Sequence, residues 1–287
     1  MQVAQDKRAQ SWESRPWFDR PPWRGGVHWR FPLRRRSHEP SAPVCYAFRV
    51  LLERYVYPAL KEPLLEAYEM AFEAAYIVLH PFVRVPDELS WERTRQYPSD
   101  ADVFAHGSKC KWAEAARGAE IRNCASMSQA LLTAIGSIDE FLRDPSASAA
   151  LQKYLQAAPI WMPTEGRFEP LLQTDLLAAF TAAGHTELIH VPEFPEREPI
   201  ATLQVADVEG SFPERGTLLA PDRSFLFTVD WDSFFTLFYG PRAFVDEVVK
   251  SRGLEGFFAE KETEHSWFNW KMGCATCTVS PDGWQAG

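Results

Sequence analysis

The apolar residues of this 287-residue chain change their spacing at Gly184, and no other feature constrains the fold as much. Before Gly184 they recur three and four positions apart, the period of one helix face. After it they gather into short runs rich in Val, Ile, Phe and Thr, separated by Pro, Gly and Asp, which is the pattern of strands. Helices first and strands later predict an α+β fold: a helical N-terminal half packed on a small, mainly antiparallel sheet in the C-terminal half.

Within the first half, residues 45–79 read as two helices. Leu64, Leu65, Tyr68, Phe72, Tyr76 and Leu79 form the stripe of the second, and Pro58 and Pro63 make the break, because proline lacks a donor and clashes with the preceding turn. Residues 87–96 read as a short helix, 97–107 as a loop, and 111–142 as the longest helix, stopped by Asp144 and Pro145. Ser146 is placed to cap the next helix. Residues 170–183 form another, closed by Gly184 as a left-handed C-cap. Strands are expected at 187–191, 200–205, 224–230, 234–239 and 256–259, with a helix at 243–251.

Charge divides the chain unevenly. Its 30 Lys and Arg against 39 Asp and Glu give a net of −9, which disfavours nucleic acid and anionic membranes as partners. Residues 1–40 nevertheless carry nine basic and four acidic side chains, with Trp12, Trp17, Trp23 and Trp29 among them. The domain organisation expected is a basic, Trp- and Pro-rich arm over 1–43, poorly ordered; one α+β domain over 44–272; and a tail over 273–287. No apolar run is long enough to span a bilayer, no signal-peptide core precedes the arm, and five scattered cysteines do not suggest a disulfide framework, so a cytoplasmic location is expected.

The densest polar cluster is Asp230-Trp231-Asp232-Ser233. On extended backbone the two aspartates share a face about 7 Å apart, suited to holding a divalent cation or dividing acid and base roles. In a turn, one of them bonds backbone amides instead. A second cluster, Glu260 to His265, sets a histidine beside Glu262 and Glu264, either as a base or as part of a charged strand edge. Cys274 and Cys277 form a C-x-x-C, a weak candidate for metal because zinc needs two more ligands. Trp161, before the turn Pro163-Thr164-Glu165-Gly166, is either a recognition anchor or a buried corner. Neither a phosphate-cradling loop nor a nucleophile elbow is present, and no cofactor is expected.

The stretches Trp161-Met-Pro-Thr-Glu-Gly-Arg-Phe168, Phe225-Leu-Phe-Thr-Val-Asp-Trp-Asp-Ser233 and Leu254-Glu-Gly-Phe-Phe258 resemble a bacterial family catalogued as domain-of-unknown-function family 2711, over roughly residues 45 to 270. That resemblance implies a soluble bacterial protein and supplies no catalytic residues. In general character the acidic body also resembles the immunity proteins of bacterial toxin systems. The function expected is therefore an immunity-like inhibitor that binds a basic protein through Trp231, Asp232, Glu262, Glu264 and Trp161. The alternative is a metal-assisted hydrolase, with Asp230 and Asp232 as ligands and His265 as base. Convergence of these groups would favour the enzyme; spreading over an open face would favour the inhibitor.

Overall fold

Six consecutive residues, Ala74–Leu79, are buried on both sides and form strand β1, second from one edge of a seven-stranded sheet. The computed structural model describes residues 53–59, 62–208 and 212–266, and the backbone of 277–280 and 283–286. Beyond β1, the large sheet takes β5 (Glu187–Val191), β6 (Ala201–Gln204), β7 (Gly216–Leu219), β8 (Leu226–Val229), β9 (Phe235–Gly240) and β10 (Gly256–Phe258). Its order is β10-β1-β9-β8-β7-β5-β6, and every neighbouring pair is antiparallel.

The expected fold class is thereby corrected. The sheet is large, it draws a strand from the first half of the chain, and helices are mixed through the sequence instead of filling the N-terminal half. The physical reason lies in β1 itself. With both faces of Ala-Ala-Tyr-Ile-Val-Leu covered, no polar alternation marks it as a strand, and Tyr76 and Leu79 happen to continue the spacing of Leu64, Tyr68 and Phe72. Tyr, Ile and Val nevertheless favour the pleated conformation, and Pro81 ends the run.

One sheet face carries Tyr76, Val78, Leu218, Phe227 and Phe238. Leu172, Leu176 and Phe180 of α5 (Pro170–Ala182) and Val245 and Val248 of α6 (Arg242–Arg252) cover it. The opposite face carries Ile77, Leu79, Leu219, Leu226, Leu237 and Tyr239. Trp112 of α2 (Trp112–Gly118), Met127 and Leu131 of α3 (Cys124–Ile135), and Leu151 and Leu155 of α4 (Pro145–Ala157) pack there, with Tyr55, Leu64 and Phe72. Each such side chain contributes roughly 1.5–3 kcal/mol of transfer free energy, set against the entropy of ordering it.

Local signals explain most helix ends. Pro170 starts α5, and Gly184 follows it at φ +80, as expected of the C-cap. The long pattern at 111–142 divides into α2 and α3, because Asn123 accepts the Ser126 N–H and begins a new helix. Asp144, not Ser146, caps α4, accepting from the Ala147 N–H at 2.9 Å. Residues 100–106, expected as loop, form α1 (Asp100–His106), opened by a capping box between Ser99 and Asp102. A small sheet of β3 (Ser108–Cys110), β2 (Phe82–Arg84) and β4 (Ile160–Trp161) joins the helices to the loop at 163–166.

Candidate functional site

The register of the large sheet gathers one set of polar residues at one end. Gly216 pairs with Val229, and Thr217 with Val191, so Asp230 after β8, Arg215 before β7 and Glu193 after β5 come to that same end. Between β8 and β9 the chain turns through Asp230-Trp231-Asp232-Ser233, with the Ser233 N–H donating to the Asp230 carbonyl at 3.2 Å. The Ser233 hydroxyl sits 2.9 Å from that carbonyl and 3.0 Å from that of Phe235. This is the turn alternative, and in it the Asp230 carboxylate accepts the Trp231 N–H.

The loop at 163–166 docks on this turn backbone to backbone. The Gly166 N–H donates to the Ser233 carbonyl at 2.9 Å, and at φ +64 an added Cβ would stand 1.8 Å from the Trp231 carbonyl oxygen. Only glycine allows that approach. Glu165 is thereby held against Asp232, whose Oδ1 lies 3.4 Å from the Ser137 hydroxyl just after α3. Burial and the facing Asp232 push the Glu165 carboxyl up to about 8, while Arg215 pulls the other way. Two carboxyls in contact cannot both ionise cheaply, so near neutral pH they share one proton, carried on Glu165.

The loop is anchored from behind by buried polar groups. Oε2 of Glu169 accepts the Thr164 N–H at 2.9 Å and its hydroxyl at 2.8 Å. The Thr164 carbonyl lies 3.4 Å from Nδ1 of His80, whose Nε2 meets the Thr236 hydroxyl at 2.8 Å. Burial pushes Glu169 up to about 7 and His80 down to about 3.

His265 completes the site. Its Nε2 lies 3.5 Å from Oδ2 of Asp230, and its Nδ1 lies 2.7 Å from the Tyr57 hydroxyl. Its ring packs edge-on against Tyr57 and tilted against Phe235. Burial lowers His265 to about 4 and raises Asp230 to about 6, with Asp232 and Glu193 adding to the latter. At pH 7 the imidazole is therefore neutral and the carboxylate charged. The consistent tautomer has Nε2–H facing Asp230 and Nδ1 accepting from Tyr57.

Of the residues singled out in the sequence, Asp230, Asp232 and His265 meet here. Trp231 points outward and is 54% exposed; Glu262 is exposed and Glu264 half-buried. Trp161 is buried, its indole N–H donating to the Leu89 carbonyl at 3.0 Å and its ring packed by Trp91 and Tyr97. Cys274 and the arm over 1–43 lie outside the described residues. Cys277 opens a backbone hairpin, β11 (Cys277–Ser280) with β12 (Gly283–Ala286). Among the described residues, no three His, Cys, Asp or Glu side chains group so as to hold a metal ion, and no helix is long and apolar enough to cross a membrane. Sequence reasoning did not select Glu165, Glu193, Arg215 or Tyr57 as site residues. The one local signal for Glu165 was the glycine that follows it.

No curated protein and no solved structure matches the chain. A family model described as "Protein of unknown function (DUF2711)" matches residues 60–269, a span that holds the 230–233 turn, the 163–166 loop and His265, and the chain belongs to this family.

Proposed function

We propose that the sheet end around Asp230 is the acid–base centre of a hydrolase. The observation that carries this reading is the convergence of Asp230, His265 and Tyr57, three residues from separate parts of the chain, in one line of close polar contacts beside the Glu165–Asp232 pair. Asp230, backed by the neutral imidazole, accepts a proton from an attacking water. Glu165, protonated near neutral pH, gives its proton to the leaving group. Two carboxyls raised by different amounts, to about 6 and about 8, within one half-buried cluster are what such a division of labour needs. Of the carboxyls that an inhibitor would present to a basic partner, Asp232 faces Glu165 inside the cluster and Glu264 is half-buried, which leaves Glu262 and Trp231 exposed.

The test is a panel of 4-nitrophenyl esters, phosphoesters and glycosides and of chromogenic amides with the full chain. Turnover that falls at least 100-fold in both Asp230→Asn and His265→Gln, and is unchanged in Trp231→Ala, supports the reading. Turnover indifferent to Asp230 and His265 rejects it. Capture of a basic protein that is lost in Trp231→Ala would favour the inhibitor.

A further inference from the structure

The end of the large sheet at Asp230 gathers carboxyls. Sheet register brings Glu193, Arg215 and Asp230 there, and two backbone bonds tie the loop that carries Glu165 across them: the Gly166 N–H donates to the Ser233 carbonyl and the Phe168 N–H to that of Glu214, each at 2.9 Å. Glu165 meets Asp232, and Nη1 of Arg215 lies 3.9 Å from Oε2 of Glu193. None of these side chains is wholly buried. Asp230 keeps 14% of its side-chain surface, Glu193 24% and Arg215 34%, so a ligand reaches the cluster from solvent.

The sign of that charge selects among hydrolytic reactions. With one proton on Glu165, the carboxylates of Asp230, Asp232 and Glu193 outweigh the guanidinium of Arg215, and His265 adds none. Attack on an ester or amide puts negative charge on the carbonyl oxygen, and phosphoryl transfer spreads it over phosphoryl oxygens; both depend on donors or cations aimed at that charge. Carboxylates oppose it. Breaking a glycosidic bond works the other way, because the sugar ring becomes positive and oxocarbenium-like, and nearby carboxylates stabilise it.

We propose that the substrate of this site is a glycoside, with its anomeric carbon held between Asp230 and Glu165. This rests on the hydrolase reading and names its substrate class. The water oxygen bonds to the anomeric carbon as the bond to the leaving oxygen breaks. Asp230 takes a proton from that water, and Glu165 gives its own to the leaving oxygen, so no further reactant is needed. Glu193, drawn aside by Arg215, adds its charge without taking a proton.

The experiment gives the full chain the 4-nitrophenyl α- and β-pyranosides of glucose, galactose, xylose and N-acetylglucosamine, with 4-nitrophenyl acetate, 4-nitrophenyl phosphate and an arginine 4-nitroanilide beside them. Expected is turnover of at least one pyranoside that is lost in Asp230→Asn, with a rate enhancement over the uncatalysed reaction about 100-fold or more above that for the other three compounds. Deuterium at the anomeric carbon should slow it, as positive charge there requires. Glu193→Gln should lower kcat about fivefold or more and leave KM within about twofold, because a charge that favours the cationic transition state has gone. A reaction that builds negative charge would speed up in the same variant. Glycoside cleavage that is unchanged or faster in Glu193→Gln overturns the proposal. Asp230-dependent turnover of the acetate, phosphate or anilide with every pyranoside untouched removes this inference and leaves the hydrolase reading. No Asp230-dependent turnover of any compound removes both. The wild-type panel and the isotope effect stand even if Glu193→Gln fails to fold.

Discussion

The hydroxyl of Tyr57 lies 2.7 Å from Nδ1 of His265, 208 residues further along the chain, and the other imidazole nitrogen faces Asp230. This buried ring is held neutral, its pKa lowered from 6.5 to about 4 by burial. The neutral form stabilises the fold, so its contribution is complete above pH 6.5 and is lost as pH falls towards 4, at up to about 1.4 kcal/mol per pH unit. The stability gap between wild type and His265→Gln should therefore be widest above pH 6.5 and narrow on acidification, as read by urea unfolding at fixed pH steps.

Glu169 responds in the opposite direction. Burial raises it from 4.5 to about 7, so the stability of its protonated form is present below pH 4.5 and lost as pH rises to 7. Glu169→Gln keeps an acceptor for Thr164 and cannot ionise. It should match wild type near pH 4 and exceed it at pH 8. Glu169→Ala leaves the buried Thr164 groups unmet and should cost about 2 kcal/mol near pH 4 and less at pH 8, where wild type has itself lost stability. Thermal melts of the two variants at both pH values check this.

Hydrolysis, on the reading proposed above, needs Asp230 ionised and Glu165 protonated. With the first raised to about 6 and the second to about 8, kcat/KM should follow a bell between those values. Glu165→Gln should remove the alkaline limb and lower the plateau about 100-fold. A profile measured on the substrate found in the panel decides it.

Gly166→Ala should be among the most damaging single substitutions. Its Cβ has no place beside the Trp231 carbonyl, and its φ of +64 is itself unfavourable for alanine. A loss above about 2 kcal/mol is expected in chemical denaturation, with Glu165 displaced from Asp232.

Legibility followed distance along the chain. Helix α5 could be read because its start, Pro170, and its stop, Gly184, sit beside it in sequence. The 230–233 cluster could be read because its members are consecutive. Glu165 and Tyr57 could not be assigned to it, since only tertiary folding brings them there, and neither carries a motif of its own. Strand β1 was misread because burial on both faces erases the alternation that identifies a strand, and β7, four buried residues that begin with a glycine, offered no pattern at all. That one misread strand changed the size and membership of the whole sheet.

The placement of β1 bears on how the protein is made. Both of its neighbours, β9 and β10, come from much later in the chain; the Tyr76 hydroxyl bonds the Leu254 carbonyl 178 residues on. During synthesis, a strongly apolar strand therefore leaves the ribosome long before either partner exists, and its backbone groups wait unpaired. Chains of such high contact order fold slowly and expose an aggregation-prone segment meanwhile. Chaperone occupancy of nascent chains should accordingly begin once Ala74–Leu79 emerges and end only after β9 and β10 have followed.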